Sequence, residues 1–255
     1  MQSFRNRGFE FSYIDQAPDS GQGDPILLIH GFASNIGVNW IGPGWVAELR
    51  RAGYRVLAFD HLGHGRSEVS YDAGDYTPQK MVSDAMALLD HAGAERAHVF
   101  GYSMGARVSA FAALEEPARV ATLILGGLGI GLVEGVGDWD PIAVALRADD
   151  PASVTTERGR MFRKFADTTK SDRLALAACI ANSRVELTEA EVARISQPTL
   201  IGVGTKDDIA GSAGELAALM PNAEAFDIDG RDHMLSVGDR TFKKRVTEFL
   251  AAHPL

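Results

Sequence analysis

His98-Val-Phe-Gly101-Tyr102-Ser103-Met104-Gly105-Ala-Arg-Val-Ser-Ala-Phe-Ala-Ala-Leu-Glu115 passes from an apolar run of strand character into a run of helix formers, and the change falls on one serine. The pattern predicts a strand over His98–Tyr102 and a helix over Met104–Glu115. Glycine stands two residues before and two residues after Ser103. A strand that turns straight into a helix brings those two positions so close that neither can carry a side chain. The serine is pushed out at the carboxyl end of the sheet, beside a helix N-terminus whose dipole favours developing negative charge.

Working outward, Ser3–Arg7 and Phe9–Ile14 read as a hairpin bent at Gly8, and Ile26–Ile29 is a continuous apolar run suited to a strand buried on both faces. Helix Trp45–Ala52, strand Arg55–Phe59 and a helix from Thr77-Pro78 to His91 follow, the last with Met81, Ala85, Leu88 and Leu89 on one face. Strand Val120–Leu125 comes after the serine helix; strand Thr199–Val203, helix Ala213–Met220, strand Glu224–Ile228 and helix Arg240–Ala252 close the chain. Such alternation predicts an α/β fold, a mostly parallel central sheet flanked by helices on both faces. Residues 131–195 hold several helical patterns and no strand. They are expected to form a helical cap inserted between core strands, with 1–130 and 196–255 as the core.

The whole chain limits the function. It has 255 residues, ordinary globular composition and a net charge of −9. An acidic chain is a poor partner for a phosphate backbone or an anionic membrane, so neither nucleic acid nor membrane is expected. No apolar stretch approaches the ~20 residues of a membrane span, and Met1–Arg7 lacks a signal-peptide pattern. A cytoplasmic protein acting on a small molecule is the expectation; its oligomeric state is not legible. Cys179, the one cysteine, reads as a buried apolar side chain.

Five features fall in one order: the N-terminal hairpin, His30-Gly31-Phe32 after a strand, Asp60-x-x-Gly63-His64-Gly65-x-Ser67, the Ser103 turn, and a late Gly230-x-x-His233. Through them the chain resembles the α/β-hydrolase superfamily, in its capped serine esterase and lipase-like form, over nearly all its length except the cap. The resemblance implies Ser103 as nucleophile and His233 as general base, on a loop returning to the carboxyl edge. It implies a carboxylate in Gly204-Thr-Lys-Asp207, with the adjacent Asp208 as an alternative. The N–H groups of Met104 and, by the same resemblance, Phe32 are expected to hold the oxyanion. The His61/His64 turn is structural in that family, and no cofactor or metal is implied. His91, His98 and His253 read as ordinary surface residues.

Other signals are weaker. Gly42-Pro-Gly-Trp-Val-Ala47 imitates a dinucleotide fingerprint, but it follows no strand and Pro43 lacks an N–H. Asn35 or Asn39 is placed to meet a polar substrate group. Trp139, Phe162 and Phe165 suggest an apolar lid, and Arg147, Arg158, Arg160 and Arg163 are candidates to bind a carboxylate. The expected activity is carboxylic-ester hydrolysis through an acyl-enzyme. Alternatives on the same scaffold are hydrolysis of a lactone, a carbon–carbon bond or a carrier-bound thioester. Outside enzymes, a non-catalytic ligand-binding protein remains. A dehalogenase or epoxide hydrolase would need Asp at position 103.

Overall fold

Strands β1 (Gln2–Asn6) and β2 (Phe9–Gln16) pair antiparallel around Arg7-Gly8, and both turn residues take positive φ (51° and 88°), the twist that a two-residue hairpin needs. The computed structural model describes residues 1–255. Then come β3 (Pro25–Ile29), β4 (Arg55–Phe59), β5 (Ala97–Tyr102), β6 (Val120–Gly126), β7 (Thr199–Gly204) and β8 (Ala223–Ile228). The sheet runs β1-β2-β4-β3-β5-β6-β7-β8, and every pair from β4 to β8 is parallel. The chain goes outward from β3 to β4, then crosses back to place β5 on the other side of β3. Winding therefore reverses at β3/β5, and a crevice opens at the carboxyl ends of those strands. His30-Gly31-Phe32 leaves β3 there, and Ser103 leaves β5.

Alternation along the strands feeds two cores. Ile26, Leu28, Val56, Ala58 and Phe100 face α1 (Trp45–Arg51) and α10 (Arg240–Ala252). Leu27, Ile29, Leu57, Phe59 and Val99 face the other layer, which holds α2 (Pro78–His91), α3 (Met104–Glu115) and α9 (Ala213–Leu219). Helix α2 starts where the sequence indicates: Thr77 accepts from the Lys80 N–H, and Pro78 fills the first turn. Between β6 and β7 the chain makes α4 (Gly131–Glu134), α5 (Asp140–Arg147), α6 (Glu157–Thr169), α7 (Arg173–Asn182) and α8 (Glu189–Val192), and no strand. Cys179 on α7 is fully buried and its thiol is pushed up to about 12 by burial, which keeps it protonated.

The turn after β4 is built around one carboxylate. Asp60 accepts from the Ile36 N–H at 2.7 Å and from the Arg66 N–H at 2.9 Å, so it ties its own turn to the segment after β3. A Cβ on Gly65, which has φ +56°, would lie 2.2 Å from that carboxylate. This is why the motif requires glycine there. Three buried histidines fill the space beneath: His30, His61 and His64, with the His30 and His61 rings 4.7 Å apart. The His30 Nε2 accepts from the His61 backbone N–H at 3.0 Å. The His61 ring packs edge-on to Phe59 and His64, and the His64 ring edge-on to Phe32.

His98 departs from its expected surface position. It is fully buried in β5, and its Nδ1 lies 2.8 Å from the Thr122 hydroxyl on β6. The neighbouring strand supplies the partner, which no local pattern reveals. His91 is exposed and bonds the Tyr13 hydroxyl at 3.0 Å.

Burial lowers the buried histidines from 6.5, to about 4 for His30 and His98, to about 3 for His64, and well below for His61. These rings stay neutral in the folded protein but take up protons in the unfolded chain below about 6.5. Unfolded protein then binds more protons, so stability falls as pH drops from about 6.5 toward about 4, and is complete above that window. Asp60 and Asp84, raised by burial, act in the opposite sense at its acid end. Urea unfolding at a series of pH values is expected to show a loss approaching about 1.4 kcal/mol per pH unit for each histidine. A flat profile between pH 7 and pH 5 would contradict these buried neutral rings.

Candidate active site

Ser103 sits at φ 53°, ψ −112°, a strained conformation for a residue with a side chain. Its N–H donates to the Gly126 carbonyl at 2.8 Å, and its own carbonyl accepts from Arg107 in the first turn of α3. The flanking glycines are required by close approach. A Cβ on Gly101 would lie 2.1 Å from the Gly105 carbonyl oxygen, and one on Gly105 would lie 1.9 Å from the Ile29 carbonyl oxygen. The helix is thus pressed against both β5 and β3, and the serine is held out over their ends.

His233 and Asp207 reach this point from the loops after β8 and β7. The His233 Nε2 lies 3.1 Å from the Ser103 Oγ, and the His233 Nδ1 lies 2.8 Å from Asp207 Oδ2. Because an ionised carboxylate only accepts, Nδ1 carries the proton and Nε2 is left to accept from the hydroxyl. Asp207 is anchored by its other oxygen, which accepts from the Ile209 and Ala210 N–H groups at 2.9 and 3.0 Å. Its side chain is fully buried, whereas Asp208 is exposed and turned away. The structure therefore brings together Ser103, His233 and Asp207, and not Asp208. A hydroxyl so arranged can give its proton to the ring as its oxygen attacks an electrophilic carbon.

The sequence reading missed Tyr102. Its hydroxyl donates to the His233 carbonyl at 2.6 Å, so the residue before the serine steadies the histidine loop. Below that loop, Asp232 caps it by accepting from the Met234 and Leu235 N–H groups. Only the position of Tyr102 beside Ser103 offered a hint; its partner lies 131 residues away.

Opposite the serine, the Phe32 N–H makes no hydrogen bond within the protein. The Met104 N–H begins α3, where no intrahelical acceptor exists. Behind Phe32, the segment read as a loop is a π-helical turn, Gly37–Ile41, closed by the Gly42 N–H on the Gly37 carbonyl at 2.8 Å. This turn aims Asn39 inward, where its Oδ1 accepts from the Gly31 N–H at 3.1 Å and steadies the His30–Gly31 peptide, next to Phe32. Asn35 caps the Val38 N–H instead, at 2.9 Å, and faces away from the serine.

Ser103 and His233 line a cavity of about 350 Å³, and most of its other lining is apolar. Phe32 and Met234 come from the core, while Met161, Phe162 and Phe165 come from α6. Trp139 stands behind this wall, with its ring centroid 5.3 Å from that of Phe162. Of the expected carboxylate-binding arginines, none lines the cavity. Arg147 donates to the Ala177 carbonyl and Arg160 to the carbonyls of Val154 and Thr155. Arg163 is taken by Asp167 and two carbonyls of α5 and its end, and Arg158 lies against Trp139. Backbone carbonyls and Asp167 engage Arg147, Arg160 and Arg163, partners that sequence spacing does not display.

Comparison with known proteins agrees with the architecture. The model of the α/β hydrolase fold family matches residues 24–175. The dihydrolipoyllysine-residue acetyltransferase component of the acetoin cleaving system of Pseudomonas putida is 30% identical over 249 residues, 91% of this chain and 64% of its own length. This chain thus spans less than two thirds of that relative. The 2-hydroxymuconate semialdehyde hydrolase of Pseudomonas putida is 33% identical over 226 residues, 86% of this chain and 74% of its own. Among solved structures, a hydrolase from Pseudomonas aeruginosa superposes with TM-score 0.80 at 26% identity, covering 97% of both chains. The enol-lactonase of Burkholderia xenovorans superposes with TM-score 0.79 at 22% identity, over 98% of this chain and 100% of its own, a likeness of fold alone. No helix is long and apolar enough to cross a membrane. By its family match and its relatives, the chain belongs to the α/β-hydrolase fold family.

Proposed function

We propose that the protein hydrolyses carboxylic esters of uncharged, small to medium acids through an acyl-enzyme, with a Ser103–His233–Asp207 triad. The observation carrying this reading is the hydrogen-bonded chain from Asp207 through His233 to Ser103 in the lining of a mostly apolar cavity. Ser103 Oγ attacks the ester carbonyl carbon while His233 Nε2 takes its proton. The former carbonyl oxygen becomes negative and is held by the N–H groups of Phe32 and Met104, each such donor stabilising the transition state by about 3–4 kcal/mol. His233 then returns the proton to the departing alcohol, and Asp207 stabilises the imidazolium between the two transfers. Water, activated by the same ring, hydrolyses the acyl-enzyme. In this reading residues 131–195 act as a cap, and α6 supplies the wall that sets acyl size.

The cavity wall holds no Lys or Arg. That absence of a cation favours a neutral acyl group, because burying a carboxylate without a partner is costly. A lactone is a cyclic ester and passes through the same steps, so lactone hydrolysis is the second reading. The 2-hydroxymuconate semialdehyde hydrolase relative acts, by its name, on an anion. Carbon–carbon bond hydrolysis of such a compound would call for a cation that this wall lacks.

A fluorophosphonate probe is expected to label Ser103 in the native protein and to leave Ser103→Ala unlabelled; labelling of the variant would remove Ser103 as nucleophile. Against p-nitrophenyl esters of rising chain length, turnover above the Ser103→Ala background is expected for acetate to medium chains, declining once the acyl group outgrows the cavity. Labelling without ester or lactone turnover would overturn the substrate reading while sparing the nucleophile. Replacing Asp207 by Asn is expected to lower kcat by about 10⁴-fold, since the wrong tautomer is then held. Asp208→Asn is expected to stay within about twofold, as exposed substitutions away from the reacting groups usually do. The reverse order would reassign the carboxylate.

A further inference from the structure

Arg107, Arg158 and Arg184 gather behind the Phe32–Trp139 wall from three elements: α3, the start of α6, and the segment joining α7 to α8. The Arg184 guanidinium carbon lies 3.6 Å from the Trp139 ring centroid and 5.4 Å from that of Phe32. The Arg158 guanidinium carbon lies 4.8 Å from the Trp139 ring. Arg107 is almost fully buried; its Nη1 and Nη2 donate to the carbonyls of Val185, Leu132 and Gly131. Arg158 gives its Nη1 to the Val136 carbonyl.

The remaining nitrogens have no acceptor. Nε of Arg107, Nε and Nη2 of Arg158, and Nε and Nη2 of Arg184 are buried and unpartnered. None of the three residues forms an ion pair. Burial, joined by the nearby Arg107 charge, lowers Arg184 to about 9, and burial lowers Arg107 to about 10, so both remain cationic at neutral pH. Glu186 acts on Arg107 only from a distance. Stacking on an indole or phenyl ring engages the flat face of a guanidinium. It leaves the in-plane N–H groups pointing outward, and those need an acceptor.

We propose that Arg107, Arg158 and Arg184 form a binding site for a small oxyanion, a carboxylate or phosphate group, gripped by these free guanidinium N–H groups. Planar forks of this kind match the paired oxygens of either group. The site is distinct from the apolar cavity, since none of its arginines lines that cavity. Its ligand joins α3, the helix that Ser103 caps, to α6 and the α7–α8 segment, and so draws the helices between β6 and β7 onto the core. The reading does not depend on the chemistry at Ser103.

The test compares thermal unfolding and Trp fluorescence of the whole protein in chloride, phosphate, acetate and succinate at matched ionic strength and pH. Phosphate or a carboxylate at tens of millimolar is expected to raise the unfolding midpoint by about 3 °C over chloride, with a saturable change in Trp emission. Response to phosphate alone or to carboxylates alone names the source of the oxyanion. In Arg158→Gln and Arg184→Gln, chosen because Arg107 carries backbone contacts whose loss threatens folding, both responses are expected to disappear. Arg160→Gln, which lies outside the cluster, is expected to retain them. No oxyanion-specific response in the native protein, or a response that survives in both cluster variants, overturns the proposal.

Discussion

The carbonyl oxygen of Ile29 lies 1.9 Å from where a Cβ on residue 105 would stand. That close approach of helix to strand is the constraint from which the site follows. Because α3 presses on the end of β3, Ser103 must project over the junction of β3 and β5, where the winding of the sheet reverses. The same contact brings the N-terminus of α3 opposite the Gly31-Phe32 peptide. The Phe32 and Met104 N–H groups, each without an acceptor in the protein, thus belong to two scaffold elements held against each other. The strained backbone of Ser103 is stable because strand, helix and the Gly126 carbonyl together determine it.

Around that junction, polar groups are fixed by partners distant in sequence. Asp60 holds the segment after β3, Asn39 holds the Gly31 N–H, and Tyr102 holds the histidine loop. Each removes conformational freedom from the segments around Ser103. His30, His61 and His64 are kept neutral by burial, so they add no charge beneath the turn after β4. Ser103 and His233 share the cavity with a lining that is mostly apolar, part of it supplied by α6.

The fold was legible because its signals are local. Apolar runs at Ile26–Ile29 and Val120–Leu125, the helix start at Thr77-Pro78, and paired glycines around Ser103 each declare themselves within a few residues. So do the turns that carry Asp207 and His233, since a loop after a strand in a parallel sheet has one edge to reach. Other features were not readable for the opposite reason. His98 looks like a surface residue until β6 supplies Thr122; Asn39 looks like a loop residue until a π turn points it at Gly31. The arginines between β6 and β7 look free in a helical pattern, yet backbone carbonyls and Asp167 engage Arg147, Arg160 and Arg163, while Arg184, which no pattern singles out, stacks on Trp139.

What the sequence determined by itself is the order of strands and helices, the elbow, and the residue types able to perform nucleophilic chemistry. Short-range sterics decide these, and glycine, proline and apolar periodicity report short-range sterics directly. Only the tertiary structure decided which carboxylate meets His233, which arginines remain unpaired and which side chains face the serine. Those outcomes depend on burial and on hydrogen-bond partners brought together from more than twenty residues away, as with His233 and Asp207 at 26 and His233 and Ser103 at 130. Such partners exist only once the sheet has closed the distance.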